Sequence, residues 1–130
     1  MPWLADTNVL SELVRPRPNA GVLQWAASVG RVALSVVTVE EIMFGLTWKP
    51  NEKIRAFYQR FFEDCEVIAI TEAIAHQAGA MRGRLQAQGI TRTQADMLIA
   101  ATAQIHGLTL VTRNERDFEG LHIAVFNPFV

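Results

Sequence analysis

The stretch WLADTNVL (residues 3–10) changes from apolar to polar at Asp6 and then becomes apolar again. Trp3 to Ala5 predicts a short buried strand, and Asp6 can cap a short helix that begins at Thr7. The rest of the chain continues this alternation of short apolar runs with longer amphipathic ones. Such an order predicts an α/β fold with a mainly parallel central sheet.

Four further apolar runs predict the other strands of that sheet. They are Val32–Val37, Cys65–Ile70, Leu108–Thr112 and His122–Phe126. Several of them are too apolar for a strand with one face in water, which favours a sheet covered on both faces. We therefore expect a three-layer α/β/α sandwich formed by residues 1–130 as a single domain.

Polar capping residues predict where the helices between these strands begin. The predicted helices run from Asn19 to about Ser28, from Thr38 to about Leu46, from Asn51 to about Asp64, from Thr71 to about Gln88 and from Thr93 to about His106. Gly89 and Gly107 follow the last two helices, where a glycine in the left-handed conformation commonly ends a helix.

The composition excludes several classes of protein. Half of the residues are hydrophobic and 19% are charged, which argues against intrinsic disorder. Cys65 is the single cysteine, so an intrachain disulfide is excluded and a reducing, cytoplasmic location is favoured. The first residues lack the basic start of a signal peptide, and no apolar stretch approaches the roughly 18–20 residues of a membrane span.

A net charge of −1 does not by itself suggest a partner that is a nucleic acid. The net charge does not show how the charged residues are distributed over the molecule, however. If four acidic residues surround bound metal ions, nine of the 13 remain against 12 lysines and arginines. The rest of the molecule then carries a small positive excess, which is compatible with contacts to phosphate groups.

Four acidic residues fall at predicted strand ends or helix starts. Asp6 and Asp117 follow the first and fourth strands, and Glu41 and Asp96 lie in the first turns of the helices that begin near residues 38 and 93. In an open parallel sheet the carboxyl ends of the strands meet at one edge, where ligands bind. We therefore expect these four carboxylates to converge there.

Each acidic residue also has a purely structural explanation. Glu41 and Asp96 both stand three residues after a threonine, which is the spacing of a capping box. Asp6 can cap a helix, and Asp117 can belong to an Asx turn. Spacing alone leaves both interpretations open.

Convergence of the four carboxylates would favour a divalent cation. Two carboxylates ~4 Å apart repel by roughly 4 kcal/mol at an effective dielectric constant of 20. Oxygen ligands without cysteine or clustered histidine suit Mg²⁺ or Mn²⁺ rather than Zn²⁺. Such a site is typical of enzymes that hydrolyse phosphodiester bonds.

The residues around these acids resemble four motifs of PIN domains, in the family's order. They are LADTNVL at residues 4–10, SVVTVEEIMFG at 35–45, DMLIAATA at 96–103 and LVTRNERDF at 110–118. The resemblance covers the whole chain. The chain is similar to VapC-type toxins of toxin–antitoxin pairs, in particular to the FitB-like subgroup. It implies an endoribonuclease that uses Mg²⁺ or Mn²⁺, forms a homodimer and is inhibited by a cognate antitoxin that also binds operator DNA.

The resemblance assigns expected roles to individual residues. The acids at the motif positions, expected to hold metal directly or through water, are Asp6, Glu41, Asp96 and Asp117. Asn8 and Thr112 match polar positions that support the acids or the attacking water. Asn114 matches a position that orders the loop of Asp117. In the second motif, Glu41 rather than Glu40 is the matching acid.

Other residues have two open interpretations. Arg113, Arg116 and Arg82 flank the expected site in sequence and could contact RNA phosphates, or they could belong to the solvated surface. The aromatic stripe at residues 57–62 could form a groove for a dimer partner or an antitoxin, or it could pack in the core.

Three rival functions follow from the same sequence. The chain could be an antitoxin-binding module that acts through a DNA-bound complex, with little nuclease activity of its own. It could be a structure-specific DNA nuclease, although such enzymes usually carry large insertions. A phosphoryl-transfer domain is disfavoured because Asn8 replaces the second aspartate of one such pattern and residues 108–118 contain no lysine.

Overall fold

The computed structural model describes residues 2–130, and across them five strands form one parallel sheet in the order β3-β2-β1-β4-β5. The strands are β1 Trp3–Ala5, β2 Ala33–Ser35, β3 Glu66–Ile68, β4 Thr109–Val111 and β5 Val125–Phe126. The first strand therefore lies at the centre of the sheet, where it pairs with β2 on one side and β4 on the other. The predicted parallel sheet is confirmed.

The helices cover both faces of this sheet. They are α1 Thr7–Leu13, α2 Ala20–Ser28, α3 Val36–Trp48, α4 Glu52–Asp64, α5 Glu72–Ala87 and α6 Gln94–His106, with a 3₁₀ turn at Glu115–Phe118. One buried apolar cluster joins the sheet to α5 and α6 through residues such as Ile74 and Ile99. A second cluster joins it to α1–α4 through residues such as Leu10 and Ile42. The expected three-layer α/β/α architecture is thus confirmed.

Most helix starts follow from local capping chemistry. The side chains of Asn19, Asn51 and Thr93 accept hydrogen bonds from backbone N–H groups in the first turns of α2, α4 and α6. Gly107 ends α6 with a φ of 63°, a conformation that costs glycine little because it has no Cβ atom.

The start of α3 differs from the prediction. The helix begins at Val36, and its cap is Ser35, whose hydroxyl accepts from the Val37 N–H at 3.1 Å. Thr38 therefore lies inside the helix, fully buried, and Glu41 lies in the second turn. The predicted cap at Thr38 and its capping box with Glu41 are wrong, because Ser35 offers an earlier cap.

Four of the predicted strands are shorter than their apolar runs, namely those expected at residues 32–37, 65–70, 108–112 and 122–126. The strand expected at residues 122–126 is limited to Val125–Phe126, since His122 has a φ of 54° and cannot belong to an extended strand. At the sheet edge, β3 leaves Glu66 and Val67 exposed.

The aromatic stripe of α4 is largely a core feature. Tyr58 is buried, and Phe61 and Phe62 are partly buried against the second apolar cluster. By contrast, Phe44 and Trp48 on α3 are 59% and 69% exposed, with their rings in edge-to-face contact at 5.6 Å. Among residues 2–130, we find no helix that combines the length and apolarity needed to cross a membrane.

Leu110 of β4 allows a test of the packing, because its side chain is completely buried between the sheet and its helices. We expect Leu110→Ala to lower the free energy of unfolding by about 3 kcal/mol, through lost burial and the cavity it leaves. Chemical denaturation would measure this difference. Leu23→Ala, at a position 46% exposed on α2, is the control and should change the value by well under half as much. Equal losses would contradict the packing.

Candidate active site

Asp6 is held rigidly at the carboxyl end of the central strand. Its side chain is 5% exposed, and one oxygen (Oδ1) accepts from the Thr7 N–H at 2.8 Å. The other oxygen (Oδ2) accepts from the Thr112 hydroxyl at 2.8 Å and from the Asn8 amide at 3.2 Å. Asp6 therefore caps α1, as its structural interpretation predicted, and also joins β1 to the residue that follows β4.

Thr112 and Asn8 form the support of this carboxylate. Thr112 is fully buried, and its hydroxyl also accepts from the Asn114 N–H at 3.1 Å and from the Asn8 amide at 3.2 Å. The Asn8 side-chain oxygen accepts from the Arg113 N–H at 3.1 Å. Because these groups bond to one another, the loop after β4 is tied to the first turn of α1.

Glu41 reaches the same region from α3. One of its carboxylate oxygens accepts from the Thr7 hydroxyl at 2.7 Å, and the hydroxyls of Thr7 and Thr38 lie 3.2 Å apart. Thr38 thus packs beside the residue that holds Glu41, although it does not cap the helix. The position of Glu41 in the second turn places it on the same side of the sheet edge as Asp6.

Asp96 and Asp117 approach from the other side of the molecule. Asp96 lies in the first turn of α6, where its N–H donates to the Thr93 hydroxyl at 3.1 Å. Asp117 lies in the 3₁₀ turn after β4, and its N–H donates to the Asn114 carbonyl at 3.1 Å. The backbone of Asn114 therefore orders the turn that carries Asp117.

The electrostatics connect the four acids. Burial raises the pKa of Asp6 above its ordinary value of 3.8; the hydrogen bonds from Thr112 and Thr7 lower it, and the charges of Asp96 and Glu41 raise it. For Asp96, burial is again the main cause of a raised pKa. The Thr93 hydroxyl lowers that pKa, the charges of Asp117 and Glu41 raise it, and Arg92 lowers it. The charges of the neighbouring acids thus add to the effect of burial at Asp6 and at Asp96.

These groups surround a cavity of about 440 Å³ at the carboxyl ends of the strands. Its lining consists of Asp6, Thr7, Asn8, Ser11, Glu12, Arg15, Glu41, Asp96, Arg113 and Asn114. Asp117 does not belong to this lining, although its charge raises the pKa of Asp96. Within the described range, no three acidic, histidine or cysteine side chains are close enough together to hold one ion.

The three arginines of the sequence prediction have different positions. Arg113 lines the cavity, whereas Arg116 and Arg82 do not. The carbonyl of Arg116 accepts from the Arg92 guanidinium at 3.0 Å, which ties it to the loop before α6. Arg82 is exposed on α5.

The sequence prediction missed Glu12 and Arg15. The Glu12 side chain is buried at the cavity, where its oxygens accept from the Arg15 guanidinium at 3.3 Å and from the Asn19 N–H at 2.8 Å. Helical spacing was the available signal, because Glu12 follows Asn8 by four residues and so lies on the same face of α1.

Comparison with known proteins assigns this arrangement to a family. Residues 4–122 match the PIN domain model. The chain is 34% identical to Toxin FitB of Neisseria gonorrhoeae over 97% of both chains, and 32% identical to VapC ribonuclease Y4jK of Sinorhizobium fredii over 95% of both.

Solved structures agree with that assignment. The crystal structure of FitAcB from Neisseria gonorrhoeae matches with a TM-score of 0.87 and 34% identity, over 97% of each chain. Other matched structures include toxin–antitoxin complexes, among them one from Klebsiella pneumoniae and VapBC2 from Rickettsia felis bound to a DNA fragment from its promoter. This chain belongs to the PIN-domain family that includes the VapC and FitB toxins.

Proposed function

We propose that this protein is an endoribonuclease toxin of a toxin–antitoxin pair, which hydrolyses RNA phosphodiester bonds at a Mg²⁺ or Mn²⁺ site formed by Asp6, Glu41, Asp96 and Asp117. The observation that carries the proposal is the cavity at the carboxyl ends of the strands, whose lining includes Asp6, Glu41 and Asp96. Two of them have pKa values raised by burial and by their neighbours' charges. A cation in the cavity would relieve that repulsion.

The donor set fits magnesium or manganese. Every candidate ligand is a carboxylate oxygen, the donor that these hard cations prefer. Mg²⁺ commonly binds one or two carboxylates and keeps several waters, so it does not need a cage of three protein ligands. When bound, such an ion would activate water and stabilise the negative charge that develops on the phosphate and the leaving oxygen.

The protein's own residues orient the acids for this reaction. Thr112 and Asn8 fix the Asp6 carboxylate, and Thr7 fixes Glu41. Since the Thr112 side chain is fully buried, it supports the acid rather than a water molecule in the cavity. Arg113 lies at the cavity wall, where its guanidinium is suited to contact an RNA phosphate.

The partners follow from the family. We propose a cognate antitoxin, a homodimer and a larger assembly with that antitoxin on operator DNA. The support is the similarity to Toxin FitB and to chains solved in toxin–antitoxin complexes. The competing function, an antitoxin-binding module with little nuclease activity, has the same family support but leaves the acidic cavity without a role.

Asp96→Asn tests the proposed activity, because it removes one cavity carboxylate and keeps the side chain's size. We expect RNA cleavage with Mg²⁺ or Mn²⁺ to fall by at least roughly 100-fold, the scale of losing one major transition-state contact. A chelator should abolish cleavage by the parent protein. Cleavage of a mixed-sequence RNA by the purified protein would be followed on a gel.

Glu63→Gln, which neutralises an exposed acid near the end of α4, is the matched control and should leave cleavage unchanged. If a folded Asp96→Asn protein cleaves at the parent rate, the site is assigned to the wrong residues. If the parent protein cleaves no RNA with either metal, the antitoxin-binding module is the better description.

The raised pKa of Asp96 predicts a pH-dependent stability without added metal. Because the folded protein disfavours the ionised carboxyl, its contribution to stability is greatest below the ordinary pKa of 3.8 and is lost as the pH rises through the raised value. We expect Asp96→Asn to increase the free energy of unfolding at pH 7 in the presence of a chelator.

The gain should shrink as the pH falls toward 3.8, where the parent carboxyl also becomes neutral. Denaturant unfolding at several pH values would measure it, with Glu63→Gln as the comparison. A variant less stable than the parent at pH 7 would show that burial and the neighbouring charges do not raise the pKa of Asp96 as described.

A further inference from the structure

The Arg113 side chain rests on an aromatic ring from the last described residues. Its guanidinium carbon lies 4.9 Å from the centre of the Phe129 ring. A cation over an aromatic face at this distance is attracted to it. Since Arg113 is otherwise exposed, the ring restricts a long side chain that would sample many rotamers in water.

The segment that carries Phe129 also holds the backbone of Arg113. The Asn127 amide donates to the Arg113 carbonyl at 3.4 Å and to the Glu115 carboxylate at 3.1 Å. The Asn127 side-chain oxygen accepts from the Phe129 N–H at 3.0 Å. Asn127 thus places the ring and the arginine relative to each other.

The same segment is anchored to the start of α2. The Asn19 amide donates to the Val130 carbonyl at 2.9 Å, and its oxygen accepts from the Val130 N–H at 3.2 Å. A Cβ atom on Gly21 would lie 2.1 Å from the Pro128 carbonyl oxygen, so only glycine permits this approach. The segment is therefore docked along its length.

The anchor continues to the second arginine of the cavity. The backbone N–H of Asn19 donates to Glu12 at 2.8 Å, and Glu12 accepts from Arg15 at 3.3 Å. Residues 127–130 thus connect through Asn19 to Arg15 and through Phe129 to Arg113. Both arginines line the acidic cavity.

We propose that residues 127–130 act as a strap that positions Arg113, and through Asn19 and Glu12 also Arg15, to bind the phosphates of an RNA strand at the acidic cavity. Phosphate is repelled by the nearby carboxylates, so fixed guanidinium groups at the rim offset that repulsion. Phe129 is a positioning residue, because it acts through Arg113. This inference rests on the proposed function for the identity of the anion.

The test uses RNA binding, which is measured separately from cleavage. Fluorescence anisotropy of a labelled single-stranded RNA would be recorded in the Asp96→Asn background, where the RNA stays intact. We expect Phe129→Leu, which keeps apolar packing but removes the aromatic face, to weaken binding roughly two- to fivefold. Phe129→Tyr keeps the ring and should restore most of the affinity.

Arg113→Gln should weaken binding further and reduce the dependence of affinity on salt by about one phosphate contact. Arg84→Gln on α5, outside the acidic cavity, is the matched control and should change neither. In the cleaving parent, Phe129→Leu should raise KM by a similar factor and leave kcat within about twofold. Unfolding midpoints establish that each variant is folded.

The outcomes separate the two proposals. If RNA affinity is the same in Phe129→Leu and Phe129→Tyr, or if Arg113→Gln binds like Arg84→Gln, the strap is overturned even when the parent cleaves RNA. If the parent does not cleave RNA, but affinity falls in Phe129→Leu and falls further in Arg113→Gln, the ribonuclease proposal fails. The strap then stands as an RNA-binding feature.

Discussion

The hydrogen bond from the Thr112 hydroxyl to the Asp6 carboxylate, 2.8 Å long and buried, joins residues 106 positions apart. Both ends depend on the sheet, because Asp6 follows β1 and Thr112 follows its neighbour β4. A buried carboxylate without such donors would lose much of its solvation at a high cost in free energy. The bond therefore fixes the loop after β4, and with it Asn114 and Arg113, against the first turn of α1.

A second constraint is the balance of charge around the cavity. The charges of Asp96 and Glu41 raise the pKa of Asp6, and within residues 2–130 no lysine or arginine pairs with either of them. Arg15 and Arg113 lie at the rim, where one contacts an acid and the other contacts a ring. Acids at the centre and arginines at the edge suit a ligand that is itself a cation bound to a phosphate.

Local chemistry explains what the sequence could predict. The caps of α2, α4 and α6 depend on side chains only two or three residues from their partners, so pattern alone located them. The start of α3 was missed because Val36 and Val37 favour strands, whereas the Ser35 hydroxyl caps a helix that begins ahead of Val37. Helical spacing from Asn8 could have placed Glu12 near the site, but its bond to the Asn19 N–H depends on the path of the loop between them, which no local pattern reveals. Motif order, rather than spacing, selected the four acids that we propose as the metal site.

The pairing of β1 with β4 also bears on how the protein is made. The central strand β1 is synthesised long before its neighbour β4 at residues 109–111. Contacts between such distant segments form late, because the entropy cost of closing a long loop precedes the favourable free energy of the contacts. A chain interrupted before Thr112 would carry Asp6 without the hydroxyl that orients it. The acidic cavity can thus form only after β4 and the residues that follow it have been added to the chain.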